Sequence, residues 1–248
     1  MKVNSLVTRN KYKNDIIFRI IDIKENKAIL KGEVVRLIAD ANLEDLRLFS
    51  FEEKKTVVLP KIKEEKNVIK GKVLHIDGDE YYLKKAMDVY SKYNVFSIGY
   101  HIKEEEIPYK IEELLRKHKP DIVVITGHDA YYPNKSKEDI GAYKNSSYYI
   151  ESVRKARQIN SNKDDLIVIA GACQSFYEKL IEEGANFASS PTRSNIHLLD
   201  PIIIASFIAN YRINEKIDIE YILSNTISKS LGGIESKGKA RKVFVGGA

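Results

Sequence analysis

Only one of the 248 residues is a cysteine. A single thiol cannot close an internal disulfide and is too few for a cysteine-based zinc site. No apolar run reaches the roughly 18 residues that cross a bilayer. Met1-Lys2-Val3-Asn4 does not open like a secretory signal peptide, so an intracellular, soluble chain is expected. No two histidines stand four apart as on a zinc-binding helix, and neither a metal nor any other cofactor is expected. Internal repeats and low-complexity tracts are also lacking. What remains is ample for a core: 43% hydrophobic and 31% charged residues exclude wholesale disorder.

The net charge of +6 is uneven. Residues 1–70 hold 16 Lys and Arg against 11 Asp and Glu, whereas residues 71–248 hold 25 against 24. A basic patch can attract nucleic acid or acidic proteins, yet a solvated Lys-rich face is the plainer reading. Nucleic acid is therefore not the expected partner, and any electrostatic anchor belongs to the first third. That third is also patterned differently. Ile16–Ile23, Lys27–Gly32 and Val34–Ala39 read as short strands, with Lys24-Glu25-Asn26 a polar turn between the first two. Closely spaced strands without a helix-length segment predict a small β-barrel, SH3-like, over residues 1–65. A charged linker, Lys61–Asn67, follows Pro60.

From residue 66 to 248 the period changes. Val73–Ile76, Val95–Tyr100, Asp121–Thr126 and Leu166–Ala170 read as buried strands, and Phe187-Ala188 as a further short one. Between them Tyr81–Tyr93, Ile111–His118, Tyr148–Ile159 and Gln174–Glu183 carry helical spacing. Strands alternating with helices specify an α/β fold whose mostly parallel sheet is covered on both faces. The Gly-rich basic stretch from Leu231 to Lys242 reads as a tail.

In such a sheet, ligands gather at the carboxyl ends of the strands. Three strands end there in polar residues: Asp77 and Asp79; Thr126-Gly127-His128-Asp129; and Gly171-Ala172-Cys173-Gln174-Ser175. A lone cysteine is most often a buried small side chain. Cys173, however, stands at a strand–loop–helix junction, and His128 leaves the same edge, as a thiol nucleophile and its base require. A helix starting at Gln174 would favour the thiolate, and backbone N–H groups around Gly127, Asp129, Gly171 and Ala172 could bind an oxyanion. His118 reads as a helix-end histidine, and His75 and His101 as structural residues.

The order hydrophobic strand–histidine, then hydrophobic strand–Ala–cysteine, resembles the caspase-like cysteine peptidases, and 45 residues separate His128 from Cys173, close to the caspase interval of about 50. Two positions depart from that pattern: Asp129 replaces the usual glycine after the histidine, and Gly171 the usual polar residue before Ala-Cys. A closer resemblance, to the YabG family of sporulation-specific cysteine proteases, covers most of the chain. Arg36–Ala41, Val73–Asp79, Thr126–Asp129, Gly171–Ser175 and Gly184–Pro191 carry it. The resemblance implies a caspase-like three-layer sandwich and a cysteine endopeptidase with nucleophile Cys173 and base His128. It also implies cleavage of spore-coat and cortex-morphogenesis proteins after Arg, in the mother-cell cytoplasm or at the forming coat.

Cleavage after Arg calls for a carboxylate to pair with the guanidinium. Asp77, Asp79 and Asp129 are candidates, although Asp79 also reads as a helix cap. Ser189 and Ser190 would wall the pocket. Two other readings stand beside this one. A cysteine amidohydrolase would pair Cys173 with the later His197. A non-catalytic docking protein would use the basic barrel to bind coat proteins or nucleic acid.

Overall fold

The structure, a computed structural model, describes residues 1–50, 58–62, 69–212 and 216–229. It contains two compact units, Met1–Leu59 and Pro60–Ala248. The expected boundary between residues 65 and 66, most of the charged linker and the basic tail lie outside the described residues.

In the first unit, β1 (Leu6–Arg9), β2 (Phe18–Lys24), β3 (Lys27–Gly32), β4 (Ile38–Asn42) and β5 (Leu46–Leu48) form an antiparallel sheet in the order β4-β3-β2-β1-β5. Alternate residues, among them Val7, Phe18, Ile20, Ala28 and Leu30, point to one buried cluster, as a half-buried sheet requires. A bulge between Ile20 and Asp22 bends β2. The expected strand at Val34–Ala39 is shifted to β4. Gly32 N donates to Leu37 O at 2.8 Å and Leu37 N to Val35 O at 2.9 Å, so the two valines lie in the reversal between strands. No pairing joins β4 to β5 among the described residues, and the sheet is open there.

The second unit alternates strand and helix: β6 (Val73–Asp77), α1 (Glu80–Lys92), β7 (Ser97–His101), α2 (Ile107–His118), β8 (Ile122–Thr126), α3 (Ser146–Ile159), β9 (Ile167–Ala170), α4 (Tyr177–Glu182) and β10 (Phe187–Ala188). Two helices follow, α5 (Asp200–Asn210) and α6 (Ile219–Ser224). The five strands are all parallel, in the order β10-β9-β8-β6-β7. Every residue of β6, β8 and β9 is buried, because helices cover both faces. Leu74, Ile76, Val123, Ile125 and Val168 pack against α2 and α3, and α1 and α5 cover the opposite face. Asp79 caps α1 by accepting from Tyr81 N at 3.0 Å. Lys119, in the left-handed region at φ 45°, ends α2. Nearly all of α5 is buried, so it has no polar face and no amphipathic signature.

Candidate active site

The chain runs outward from β6 to β7 in one direction and from β8 through β9 to β10 in the other, so the strand order reverses between β6 and β8. Open α/β sheets bind ligands in the crevice beyond such a reversal. Asp79 and His128 leave the two strands that flank it. The backbone of His128 is fixed at both ends. Its N–H donates to Glu104 Oε1 at 2.7 Å, and its carbonyl accepts from Asn145 Nδ2 at 2.8 Å and Tyr149 Oη at 3.0 Å. Gly127 permits this approach, because a Cβ there would lie 2.5 Å from both Glu104 Oε1 and Tyr149 Oη.

The imidazole of His128 is 22% exposed, with its Nε2 2.9 Å from Asp79 Oδ2 and the Tyr82 ring centroid 5.6 Å away. A carboxylate only accepts, so Nε2 carries the proton and Nδ1 the lone pair. Nδ1 has no hydrogen-bond partner among the described residues. A histidine oriented by an acid on one side and left basic on the other can accept a proton from a nucleophile.

The cysteine loop is braced throughout. Gly171 adopts φ 102° and donates to Ile125 O at 3.0 Å; a side chain there would be strained at that φ and would press on Leu180. Ala172 N donates to Ser175 Oγ at 2.9 Å, and Gln174 N to Ser190 Oγ at 3.0 Å. Asp129 ties this loop to the histidine loop. Its Oδ2 accepts from Ser175 Oγ at 2.9 Å and Ser146 Oγ at 2.5 Å, and its Oδ1 from Asn145 N at 2.8 Å. Burial pushes the Asp129 carboxyl up, against the downward pull of those hydrogen bonds.

Ile125 and Ala170 are register partners on β8 and β9, and His128 and Cys173 each follow three residues later. The two residues thus leave the same edge of the sheet from adjacent strands. No hydrogen bond joins the imidazole to the thiol, however. Cys173 is 2% exposed, and its Sγ donates to Ile196 O over 3.8 Å. The segment from Ser189 to Leu199 thus supplies a contact over the sulfur. It is anchored by Arg193, which reaches Glu178 Oε1 at 2.8 Å and Oε2 at 2.5 Å, and Tyr143 Oη at 3.0 Å. The Arg193 guanidinium also lies 5.7 Å from the Tyr143 and Phe176 ring centroids, two rings stacked 4.8 Å apart.

Several sequence expectations need correction. The helix after the cysteine begins at Tyr177, not Gln174, and Gln174 has φ 62°. Cys173 therefore stands four residues before a six-residue helix and gains little from its dipole. The amides of Gly171 and Ala172 are spent on Ile125 and Ser175 and cannot serve an oxyanion. Asp77 is fully buried, accepting from Thr126 Oγ1 at 3.0 Å and Asp79 N at 2.9 Å, so it presents no face to a substrate side chain. Asp79 is committed to His128 and to its cap. Ser189 and Ser190 are buried, bonding Gly171 O and Ser194 O, and they brace the loop rather than wall an open pocket.

His197 is adjacent to Ile196, and its Nδ1 accepts from Leu199 N at 3.2 Å while its buried Nε2 lacks a partner among the described residues. Burial lowers its pKa to about 4. Glu104, Tyr82, Asn145, Ser146 and Tyr149 were not visible as site residues, because each acts through the fold rather than through a motif. Glu104, the first carboxylate of Lys103-Glu104-Glu105-Glu106, reads only as helix-start charge.

The chain matches the YabG peptidase U57 family over residues 2–70 and 52–245. It is 39% identical to the sporulation-specific protease YabG of Bacillus subtilis (strain 168) over 279 aligned positions, covering 97% of this chain and 96% of that protein.

Proposed function

The chain belongs to the YabG peptidase U57 family and is a sporulation protease, and from that premise we propose that Cys173 is its nucleophile and His128 its general base. The observation that carries the reading is the Asp79–His128 pair, held at the strand-order reversal in step with the sole thiol. Asp79 holds the proton on Nε2, and Nδ1 takes the proton of Cys173. The thiolate adds to the substrate carbonyl, and the oxyanion receives hydrogen bonds from backbone amides. Asp129 N, which has no acceptor among the described residues, is one donor, in the place where caspase-like peptidases use a glycine. The protonated His128 then gives its proton to the leaving amine, and water cleaves the thioester with His128 again as base.

A peptide can reach the sulfur only after the Ile196 segment shifts, since the thiol is covered. In this reading the parallel sheet with helices on both faces is a caspase-like sandwich. The first unit is an SH3-like docking module, and the boundary near residue 65 separates targeting from catalysis. Substrates are spore-coat and cortex proteins cut after Arg, in the mother cell or at the coat. With Asp77, Asp79 and Asp129 all committed within the fold, the carboxylate that meets the arginine is assigned to none of them.

The position of Ile196 favours one second reading, a Cys173–His197 pair. It is the weaker one, since a base lowered to about 4 accepts a proton poorly at neutral pH and no carboxylate among the described residues orients it. The test is incubation of wild type, Cys173→Ala, His128→Ala and His197→Ala with a candidate coat protein, followed by sequencing of new termini. Loss of cleavage in the first two variants alone is expected. An active His128→Ala with a dead His197→Ala would transfer the role.

A further inference from the structure

Beneath the Asp79–His128 pair lies a line of polar side chains that the proposed chemistry does not use. His75, Asp77, Tyr90 and Thr126 are all fully buried. Asp77 and Thr126 end their strands as register partners across the reversal between β6 and β8. Thr126 Oγ1 donates to Asp77 Oδ2 at 3.0 Å. A hydroxyl has one proton, so Thr126 accepts from His75 Nε2 at 3.1 Å, a nitrogen that also lies 3.4 Å from Asp77 Oδ2. In a neutral ring, His75 Nδ1 then accepts from Tyr90 Oη at 3.0 Å. Each donor points toward Asp77.

The other oxygen of Asp77 accepts Asp79 N at 2.9 Å. That bond sets the direction of the chain at Asp79, whose own oxygens are divided between the α1 cap and His128 Nε2. A carboxylate held in a dry interior is costly unless its hydrogen bonds are complete. Apolar strand ends would carry no such cost, and here it is met by a donor to one oxygen of Asp77 while the other oxygen holds the backbone of Asp79.

We infer that Thr126 is a positioning residue for the peptidase reaction: with His75 behind it, it locks Asp77 as the anchor that aims Asp79 at His128. The inference rests on the Cys173–His128 reading, and the experiment separates the two. The full-length chain is alkylated at its single thiol with iodoacetamide across pH 5 to 10, and kcat and KM are measured on one cleavable peptide. His128→Ala comes first. If it leaves the pH profile of alkylation unchanged, the dyad itself fails.

If His128→Ala removes a neutral-pH component, Thr126→Val should diminish the same component. It should also lower kcat about tenfold with KM within about twofold, as expected when a catalytic group is misaimed while binding is kept. Thr126→Ser, which retains the hydroxyl, should restore both. In Asp79→Asn, adding Thr126→Val should cost little more, because a residue acting through Asp79 has nothing left to aim. A wild-type profile in Thr126→Val, equal losses in the Ser and Val variants, or additive losses with Asp79→Asn would overturn the inference. Should Thr126→Val fail to fold, Thr126→Ala is read against the same outcomes.

Discussion

Asp79 does two jobs with two oxygens. One accepts from the N–H of Tyr81 at the start of α1, and the other meets His128. Helix capping and imidazole orientation are therefore coupled, and an isosteric change separates them. Asp79→Asn keeps an acceptor for the cap but removes the charge that stabilises an imidazolium. We expect kcat to fall by about 10²-fold or more, with a melting temperature close to wild type, measured by peptide turnover and thermal unfolding. His197 gives a test of another kind. Its folded pKa of about 4 lies below the usual 6.5, so between those values the unfolded chain binds more protons. Its contribution to stability is present above 6.5 and is lost as pH falls toward 4. The raised carboxyls of Asp129 and Asp200 act in the opposite sense, losing stability as pH rises through their folded values. The comparison is thus between wild type and His197→Asn. Urea midpoints at pH 7 and pH 4.5 should converge in the variant relative to wild type. At this scale the sequence placed Cys173 and His128 at one edge of the sheet but was a poor guide to their partners. Cys173 and His128 follow strands in a recognisable order, but the division of Asp79 between cap and imidazole arises only when β6 and β8 become neighbours.

At the scale of the element, the segment from Ser189 to Leu199 matters most. Its anchor is an Arg193–Glu178 pair whose carboxylate side chain is 58% exposed. The arginine side chain is only 9% exposed while the carboxylate stays open to solvent, so the anchor restrains the segment from its inner side. Arg193→Ala should speed alkylation of Cys173 by about twofold to tenfold at fixed pH, with thiol labelling followed by intact mass. Equal rates in wild type and variant would remove Arg193 from any part in covering the sulfur. Elements with a strong period were legible: α1, α2 and α3 each expose a polar face and bury an apolar one, and each starts within a few residues of where spacing places it. The reverse held for α5. It is enclosed on all sides, so the alternation that betrays a helix is missing, and Ile202-Ile203-Ile204 could equally belong to a strand. The start of α4 was displaced because Gln174 takes a left-handed turn and Ser175 turns inward to Asp129, neither of which spacing encodes.

For the whole molecule, the change from closely spaced strands to alternating strands and helices marks the two units, each with its own buried cluster. The parallel order of the sheet follows from that alternation. Which strands adjoin does not, since it depends on crossover connections between distant residues. If the first unit serves docking alone, deleting residues 1–59 should leave turnover of a short peptide within about threefold while cleavage of an intact coat protein falls about tenfold or more, compared by kcat/KM for the two substrates. Equal effects on both would tie that unit to catalysis. The burial of Cys173 beneath the Ile196 carbonyl also bears on handling. Joining two chains covalently requires their sulfurs to approach to about 2.05 Å, which a covered position forbids. Purified protein left in air should therefore run as a single-chain band without reductant, and oxidative dimers on such a gel would record how often the sulfur emerges.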